Sequence, residues 1–388
     1  MTRKLEQFFA TCPRGLEALL GDELREQGAQ AIAPTYGGVA FSGEFALCYR
    51  VNLHSRLASR VLWRVGGGDY SDEEDIYQGA LSFDWPAMFS VDRTIVVKMT
   101  AQKAPLKSLE FTTLRIKDAI CDRFRDATGK RPDVDIREPD VRIHAFLTAT
   151  TCTLYLDTSG ASLFKRGLRK QAGAAPLNEN LAAGMVRLSG WQPGMPFFDP
   201  MCGSGTILME AAQVALNIAP GSNRDFGFEK LTRYDAKVWL PIRQAAVAAQ
   251  LPATPQPIYG RDMFGDSLRD ARVNLEAAGL ENVIELKQGN VLEVPAPAES
   301  GIIVTNPPYG IRIGEQAELA EFYPKLGDWL KRRCAGWTAY ILSADMNLPK
   351  LIRLNATKRT PLFNGALECR LFEYKIVAGS ARKQDADG

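Results

Sequence analysis

The spacing of apolar positions divides the chain into two parts of different character. From about residue 176, short apolar runs alternate with stretches of helical spacing, which predicts a doubly wound α/β sheet. The predicted strands are residues 196–199, 258–262, 283–288, 302–305, 338–343 and 371–377, and the predicted helices are residues 206–216, 267–278, 317–331 and 347–354. Residues 220–257 interrupt this alternation as an insertion after the first of these helices.

The first 160 residues predict smaller α+β layers, because single helices separate short strands. Helical spacing covers residues 12–28, 45–56 and 109–128, and strand patterns cover residues 39–41, 60–65, 94–99, 141–147 and 151–157. The acidic run at residues 72–75 is typical of the first turn of a solvated helix.

With 388 residues, 46% hydrophobic and 24% charged, the chain has the composition of a soluble globular protein of two or three domains. No apolar run reaches the ~18 residues of a membrane span, and the N-terminus does not resemble a signal peptide. Seven scattered cysteines without a Cys-x-x-Cys pair indicate reduced thiols and a cytoplasmic location. His54 and His144 are the only histidines, which argues against a His-rich metal site and against a Ser-His-Asp hydrolase.

The net charge of +2 does not by itself indicate a nucleic-acid-binding protein. Residues 1–160 contain 20 Lys and Arg against 22 Asp and Glu, whereas residues 161–388 contain 27 against 23. The Gly- and Arg-rich stretch 159–175 predicts a domain boundary, and no acid separates its basic residues Lys165, Arg166, Arg169 and Lys170. These four residues are candidate phosphate contacts, with a merely solvated linker as the alternative.

The motif Asp199-Pro200-Met201-Cys202-Gly203-Ser204-Gly205-Thr206 follows an apolar strand and begins a helix. Glycine lets the backbone approach a ligand closely, and a helix N-terminus offers free N–H groups. The motif lacks the third spaced glycine of the dinucleotide fingerprint and the Gly-Lys-Ser/Thr of a P-loop. The candidate cofactor-binding residues are Asp199, Pro200, Cys202, Gly203, Ser204, Gly205 and Thr206. The alternative is a turn that uses glycine for steric reasons alone.

Two more polar residues end predicted strands. Asp262 stands where a carboxylate can accept hydrogen bonds from both hydroxyls of a ribose, although it could equally cap the next helix. Asn290 could meet an adenine edge with its amide, although Gly-Asn is more commonly a turn. Both are candidate cofactor contacts.

The string Asn306-Pro307-Pro308-Tyr309-Gly310 directly follows a buried apolar strand. Two prolines lock the turn, so the Asn306 side-chain oxygen and the Pro307 carbonyl project from the carboxyl end of that strand. Two fixed acceptors can orient an exocyclic NH₂ group toward an electrophile and stabilise the positive charge that develops on its nitrogen. Tyr309 offers a flat surface on which an extruded base can stack. Asn306, Pro307 and Tyr309 are therefore the candidate catalytic residues, and Asn306 also borders the predicted cofactor.

The glycine motif, the acid at Asp262 and the Asn306 string together resemble the S-adenosylmethionine-dependent amino-group methyltransferases of the Rossmann-like class. The resemblance implies methylation of an exocyclic or amide nitrogen, and it implies neither a particular base nor a metal. Asn290 departs from the Asp that this family usually has at the adenine contact.

The first half narrows the resemblance. Residues 9–17, 56–60, 117–120 and 156–160 look like a ferredoxin-like module followed by a THUMP RNA-binding module, and residues 165–169 with 174–179 resemble the linker and entry helix of the same enzymes. Together these match the bacterial large-subunit ribosomal RNA guanine-N2 methyltransferases over residues 5–378. Some members carry a second, fused guanine-N7 methyltransferase. This chain stops after the first, so the resemblance implies the N2 activity alone.

The implied organisation is α/β, with a Rossmann-like methyltransferase sheet after two small α+β domains. Its parts are a ferredoxin-like domain at 1–65, a THUMP-like domain at 66–158, a basic linker at 159–175, the methyltransferase domain at 176–378 and a frayed tail at 379–388. The expected partner is large-subunit ribosomal RNA. A tRNA guanine-N2 enzyme, an adenine-N6 enzyme and a non-catalytic RNA-binding assembly factor are the alternatives, and the oligomeric state stays open.

Overall fold

The structure is a computed structural model of the 388-residue chain, and it describes residues 5–167, 177–308 and 315–377. The candidate residues Tyr309, Arg169 and Lys170, and the predicted tail, lie outside the described residues. The chain forms two compact units. The first contains Met1–Cys12, Leu16–Phe164 and Ala219–Ala248, and the second contains Pro13–Gly15, Lys165–Ile218 and Ala249–Gly388.

The first unit is built on a sheet of seven strands within the described residues, in the order β2-β3-β1-β4-β7-β6-β5. The strands are β1 (Glu6–Thr11), β2 (Gln30–Thr35), β3 (Gly38–Gly43), β4 (Arg60–Asp69), β5 (Ile95–Ala101), β6 (Val141–Leu147) and β7 (Thr151–Asp157). Strand β4 pairs with β1 through its first residues and with β7 along most of its length. One continuous sheet therefore joins the two predicted N-terminal domains, with β4 as the shared strand.

The helices of the first half are α1 (Glu17–Glu26), α2 (Leu47–His54), α3 (Glu73–Leu81) and α4 (Leu109–Thr128). As the acidic run predicts, Asp72 caps α3 by accepting from the backbone N–H groups of Glu74 and Asp75, both at 2.9 Å. Helix α4 matches its predicted bounds because Ser108 caps its start and Gly129, at a φ of 73°, ends it in the left-handed region. The sequence pattern misses β1 and β2, since neither Glu6–Thr11 nor Gln30–Thr35 alternates strongly between apolar and polar residues.

The segment Ala219–Ala248 belongs to the first unit, although the sequence pattern places it as an insertion within the methyltransferase half. It contains helix α7 (Ala236–Ala248) and a short 3₁₀ turn, Gly227–Lys230. The ring of Phe228 lies 4.5 Å from that of Tyr49 on α2 and 5.1 Å from that of Trp239 on α7. Arg224 donates to the carbonyls of Ser159, Ala161 and Ser162. The aromatic burial explains why this segment folds with the first unit.

The second unit contains a sheet of seven strands, in the order β10-β9-β8-β11-β12-β14-β13 within the described residues. They are β8 (Phe197–Asp199), β9 (Ile258–Asp262), β10 (Glu285–Gln288), β11 (Gly301–Thr305), β12 (Trp337–Ser343), β13 (Lys358–Asn364) and β14 (Leu367–Lys375). Strands β8 to β12 are mutually parallel, and β14 runs antiparallel to both of its neighbours. The predicted α/β class is confirmed, while β13, which the pattern misses, forms a hairpin with β14.

The helices of the second unit are α5 (Glu179–Leu188), α6 (Thr206–Ala215), α8 (Gly265–Ala277), α9 (Glu315–Arg333) and α10 (Leu348–Leu351). Buried aromatic residues, including Phe198, Trp329 and Trp337, form the core between α9 and the sheet. Among the described residues, no helix is long and apolar enough to cross a membrane.

We predict that the second unit cannot be isolated by an N-terminal truncation alone. Deleting residues 1–164 strips the partners from Phe226, Phe228 and Trp239, all buried in the full chain, so the product should aggregate. Replacing residues 219–248 of that truncation with a short Gly-Ser linker should give a soluble, cooperatively unfolding unit. The ends are adjacent, since the Asn217 side-chain amide donates to the Ala249 carbonyl at 2.9 Å. Size-exclusion chromatography and thermal unfolding compare the two, and equal solubility would contradict the assignment of this segment.

Candidate active site at the edge of the second sheet

The candidate site lies where the strand order of the second sheet reverses. Strand β8 is the first strand of this unit, and the chain adds β9 and β10 on one side of it and β11 and β12 on the other. Because these strands are parallel, the residues that follow them meet at one edge, and ligands of open α/β sheets bind at such a reversal. Asp199 ends β8, Asp262 ends β9, and Asn306 follows β11.

Asp199 is a buried carboxylate that links β8 to β11. It is 1% exposed, and its Oδ1 accepts from the Thr305 hydroxyl at 2.8 Å and from the Met201 backbone N–H at 3.2 Å. Burial raises the pKa of Asp199 to about 7, and the neighbouring Asp262 acts in the same direction, although both hydrogen bonds oppose the shift. The sequence assigns Asp199 to cofactor binding, and these contacts give it an internal supporting role in the glycine loop.

The glycine loop turns from β8 into α6 through two left-handed positions. Gly203 has a φ of 52° and Gly205, which precedes the first residue of α6, has a φ of 83°. A Cβ at Gly203 would meet nothing within 4 Å, so the loop is open at that point. The buried Asn274 of α8 donates to the Ser204 carbonyl at 3.1 Å, which fixes the loop from below. These positions require glycine for their conformation and leave backbone available to a ligand.

Cys202 of this loop is a packing residue. Its side chain lies close to Gly260 of β9, where a Cβ would come within 3.4 Å of the Cys202 sulfur and within 2.4 Å of Leu208. Burial raises the pKa of the Cys202 thiol well above its usual range, so the thiol stays protonated. All seven cysteines are free and buried. Cys202, a candidate cofactor-binding residue, is therefore a small buried residue that fits beside Gly260.

Asp262 ties β9 to the glycine loop. Its Oδ2 accepts from the Gly203 backbone N–H and its Oδ1 from the Phe264 backbone N–H, both at 2.9 Å. Each carboxylate oxygen has a second lone pair, so these bonds leave capacity for a ligand hydroxyl. The capping and ribose-binding interpretations of Asp262 are therefore compatible.

The sequence-based prediction of the site did not include two apolar residues beside Asp262. Met263 is 55% exposed and Phe264 is 63% exposed, although both directly follow a buried strand. Large apolar side chains in this position present a surface that a flat heterocycle can cover. The available signal was the Asp-Met-Phe order, in which two large apolar residues follow an acid at a strand's end.

The side chain of Asn290 forms the hydrogen bonds of a local turn. Its Oδ1 accepts from the Leu292 backbone N–H at 3.1 Å, and its amide donates to the Glu293 carboxylate at 3.2 Å. This is the Asx turn expected of a Gly-Asn pair. The geometry therefore favours the turn interpretation over the predicted adenine contact.

The turn after β11 is held by a tyrosine that the sequence did not single out. Asn306 is half-buried, Pro307 is buried and Pro308 is exposed. The Tyr323 hydroxyl of α9 donates to the Pro308 carbonyl at 3.2 Å. Burial raises the pKa of Tyr323 to about 12, so this hydroxyl is a neutral donor at physiological pH. This hydrogen bond positions the carboxyl end of the turn. In the sequence, the only indication of this role was that Tyr323 falls on the apolar face of a predicted helix.

The predicted basic linker divides into two kinds of residue. Lys165 is exposed. Arg166 is 2% exposed, and its Nε lies 3.2 Å from Oε1 of the buried Glu210 on α6. This geometry argues against the predicted phosphate contact of Arg166, because its charge is paired inside the second unit. Removing one partner of such a pair leaves a buried charge unpaired and costs about 3–5 kcal/mol.

Comparison with family models agrees with this arrangement. Residues 7–62 match the RlmL ferredoxin-like domain, residues 70–157 match the THUMP domain, and residues 166–373 match the RMKL-like methyltransferase domain. The fold and the site are those of a Rossmann-like methyltransferase that uses S-adenosylmethionine. The chain belongs to the RMKL-like methyltransferase family, with a ferredoxin-like and a THUMP domain before the catalytic domain, and the predicted family and cofactor are confirmed.

Similar proteins extend over almost the whole chain. A putative RNA methyltransferase of Synechocystis is 39% identical over 95% of this chain and 96% of its own length. The ribosomal RNA large subunit methyltransferase K/L of Aeromonas hydrophila is 41% identical over 98% of this chain, which spans 56% of that protein. The crystal structure of a putative methyltransferase complexed with SAH is 30% identical, with a TM-score of 0.89 over 98% of this chain and 100% of that one.

We predict a pH-dependent contribution of Asp199 to stability. Because its folded pKa of about 7 lies above the ordinary value of 3.8, the folded chain holds one more proton than the unfolded chain between these values. This contribution is complete below the ordinary pKa and is lost as the pH rises through 7. Asp199→Asn removes it, so the free energy of unfolding of the wild type should fall relative to the variant by roughly 1.4 kcal/mol per pH unit between pH 5 and 7.

Urea unfolding at several values between pH 5 and 8 measures this difference. Asp266→Asn on the exposed surface of α8, where the carboxylate is 89% exposed, serves as the control and should show no comparable slope. A pH-independent difference between the wild type and Asp199→Asn would show that Asp199 is ionised in the folded chain throughout this range.

Proposed function

We propose that this protein transfers a methyl group to the exocyclic N2 amine of a guanosine in large-subunit ribosomal RNA, in the cytoplasm. The observation that carries the proposal is the Asn306-Pro307-Pro308 turn. It stands at the carboxyl end of β11, beside the edge that Asp199 and Asp262 form. Family membership supports the reaction, and the first unit supports the substrate class.

The edge residues fit the cofactor of the family. The open backbone at Gly203 and Gly205 admits a close ligand, Asp262 has remaining acceptor capacity for ribose hydroxyls, and Met263 with Phe264 offers an apolar surface for an adenine. S-adenosylmethionine supplies an electrophilic methyl group when it is bound there. Thr206 begins the helix whose N-terminus faces the same loop.

The turn after β11 orients the nucleophile. The Asn306 side-chain oxygen and the Pro307 carbonyl accept the two N–H bonds of the amine, which turns the nitrogen lone pair toward the methyl donor. The same acceptors stabilise the positive charge that grows on the nitrogen as it is methylated. One N–H proton of this nitrogen then leaves to solvent. Tyr323 keeps the turn in place through the Pro308 carbonyl. Tyr309, which lies outside the described residues, is proposed to stack on the flipped base.

The choice of RNA and of guanine rests on the relatives and on the N-terminal domains. The Synechocystis relative is named a putative RNA methyltransferase, and the Aeromonas relative is named a ribosomal RNA large subunit methyltransferase. The THUMP domain lies in the first unit, which we assign to RNA recognition. Lys165, together with Arg169 and Lys170, is retained as a proposed phosphate contact, whereas Arg166 is not.

We predict that Asn306→Ala binds S-adenosylmethionine with unchanged affinity but loses about 10²–10³-fold in the rate of methyl transfer, because the lost acceptor acts mainly in the transition state. Calorimetry with the cofactor and single-turnover methylation of ribosomal RNA separate the two effects. Asn347→Ala, at an exposed position whose side chain caps no helix, is the control and should keep the full rate. An Asn306→Ala protein with the wild-type rate would remove Asn306 from the reaction.

We predict that the product is N2-methylguanosine. The enzyme is incubated with labelled cofactor and ribosomal RNA from a strain that lacks the gene, and the digested nucleosides are separated. Label in N2-methylguanosine supports the proposal. Label in N6-methyladenosine would identify adenine as the target base while preserving the mechanism. When tRNA is also added, label in the tRNA alone would identify tRNA as the substrate. Cofactor binding without methyl transfer to any RNA would indicate an assembly factor.

A further inference from the structure

A concave groove of about 1090 Å³ lies across the sheet of the first unit. Along β1 and β6, buried side chains alternate with half-buried or exposed ones, so each strand has one covered face and one more open face. The groove is lined by half-buried or exposed side chains of β1, β4, β6 and β7, including Phe9, Arg64, His144, Phe146 and Tyr155. It crosses both the ferredoxin-like and the THUMP parts of the sheet, since β1 and β7 flank the shared strand β4.

The strand register places three of these side chains in one row with Lys98, which lies on the same face of the sheet but is not among the residues that line the groove. Arg64 of β4 is paired with Tyr155 of β7, Tyr155 with His144 of β6, and His144 with Lys98 of β5. Paired residues of neighbouring strands point to the same face, so the row crosses four strands and extends about 14 Å at ~4.8 Å per strand. It alternates a cation, an aromatic ring, an imidazole and a second cation.

A bulge in β4 adds to the shape of the groove. The pairing of β4 with β7 shifts by one residue between Arg64 and Gly66. Such an extra residue bends the strand and increases its twist. At Gly67, a Cβ would lie only 2.6 Å from the Cys152 carbonyl, so the close approach of the two strands after the bulge needs glycine.

The charge of the groove differs from that of the sequence around it. Residues 1–160 have 20 basic and 22 acidic residues, yet none of the described residues that line the groove is Asp or Glu. Arg64 donates to the neutral side chain of Gln7, so its charge is not neutralised by that contact. The nearby carboxylate of Asp157 is fully buried and ion-paired with Arg60, and its Oδ2 lies 3.5 Å from Nε2 of His144. The described lining of the groove therefore carries the Arg64 cation, with Lys98 on the neighbouring strand, in a unit without a basic excess.

Aromatic rings line the same groove as the Arg64 cation. The rings of Phe9 and Tyr155 are 6.4 Å apart at 51°, and Tyr155 and Phe146 are both half-buried, with part of each side chain at the surface. Exposed rings on a sheet, flanked by cations, are the combination on which unpaired bases stack while their phosphates meet the charges. A duplex hides its base faces, so an aromatic groove of this kind offers it only the two cations.

We propose that this groove binds an unpaired segment of RNA, with bases on Tyr155, Phe146 and Phe9 and phosphates on Arg64 and Lys98. The inference rests on the proposed function in one respect, namely that the substrate is RNA. The row is long enough for two or three nucleotides, the number that a sheet with a similar aromatic row stacks in other RNA-binding modules.

The test measures binding of the full chain to a fluorescein-labelled, unstructured RNA of about twelve nucleotides, within the site sizes of single-strand binders. Arg64→Gln with Lys98→Gln removes two cations, so the slope of log affinity against log salt should fall by about 1.4 and the affinity at 0.1 M salt on the order of tenfold. Tyr155→Leu should weaken binding at least about fivefold by the loss of one stacked base. Tyr155→Leu should change the affinity for a duplex of the same length much less, because the base faces of a duplex are hidden.

Matched controls lie on the helix side of the same unit. Lys130→Gln with Arg131→Gln removes the same two charge types beyond the end of α4, and Tyr77→Leu removes an aromatic ring from α3. These controls should bind the single strand like the wild type. Equal losses in the controls and the groove variants, or no loss in either, would place the RNA elsewhere and overturn the inference.

Methylation of ribosomal RNA by the wild type separates this inference from the proposed function. A wild type that methylates RNA, with groove variants that bind single strands normally, disproves the groove alone. If the wild type methylates no RNA but the groove variants bind single-stranded RNA more weakly than the wild type does, the proposed reaction is disproved and the groove is supported. A wild type that binds no single-stranded RNA overturns the groove as an RNA surface.

Discussion

The hydrogen bond between the Thr305 hydroxyl and the Asp199 carboxylate joins the two strands that flank the reversal in the second sheet. It is buried, so the carboxylate loses its hydration, and the pKa of Asp199 is raised to about 7. The same carboxylate oxygen holds Met201 of the glycine loop. Asp199 therefore connects the glycine loop to the strand that ends directly before Asn306.

Each of the two units is built from segments that are not consecutive in the sequence. Residues 219–248 leave the second unit after α6 and bury three aromatic rings in the first. Arg166 of the predicted linker is buried against Glu210 on that same helix, so an ion pair fixes this residue in the second unit. A single cut in the chain cannot separate the two units, because residues 219–248 would remain with the second unit and expose their buried aromatic rings.

The sequence by itself determined the elements whose signals are local. Helix α4, with a serine cap and a terminal glycine, and strands β6, β7 and β9, with clear apolar patterns, lie at their predicted bounds. The sequence also determined which loops leave the parallel strands, because Asp199, Asp262 and Asn306 each follow an apolar run. Local motifs of this kind are read from neighbouring residues, and the family follows from their combination.

Only the tertiary structure decided what depends on partners distant along the chain. It turned Arg166 from a predicted phosphate contact into half of a buried ion pair, since its partner Glu210 is 44 residues away. It added Tyr323 and the exposed Met263 to the site, and it placed Arg64, Tyr155, His144 and Lys98 in one row. A charge count over residues 1–160 averages both faces of a sheet, whereas strand register places particular side chains on one face. Burial and register are properties of long-range pairing, so neither is encoded in a local pattern.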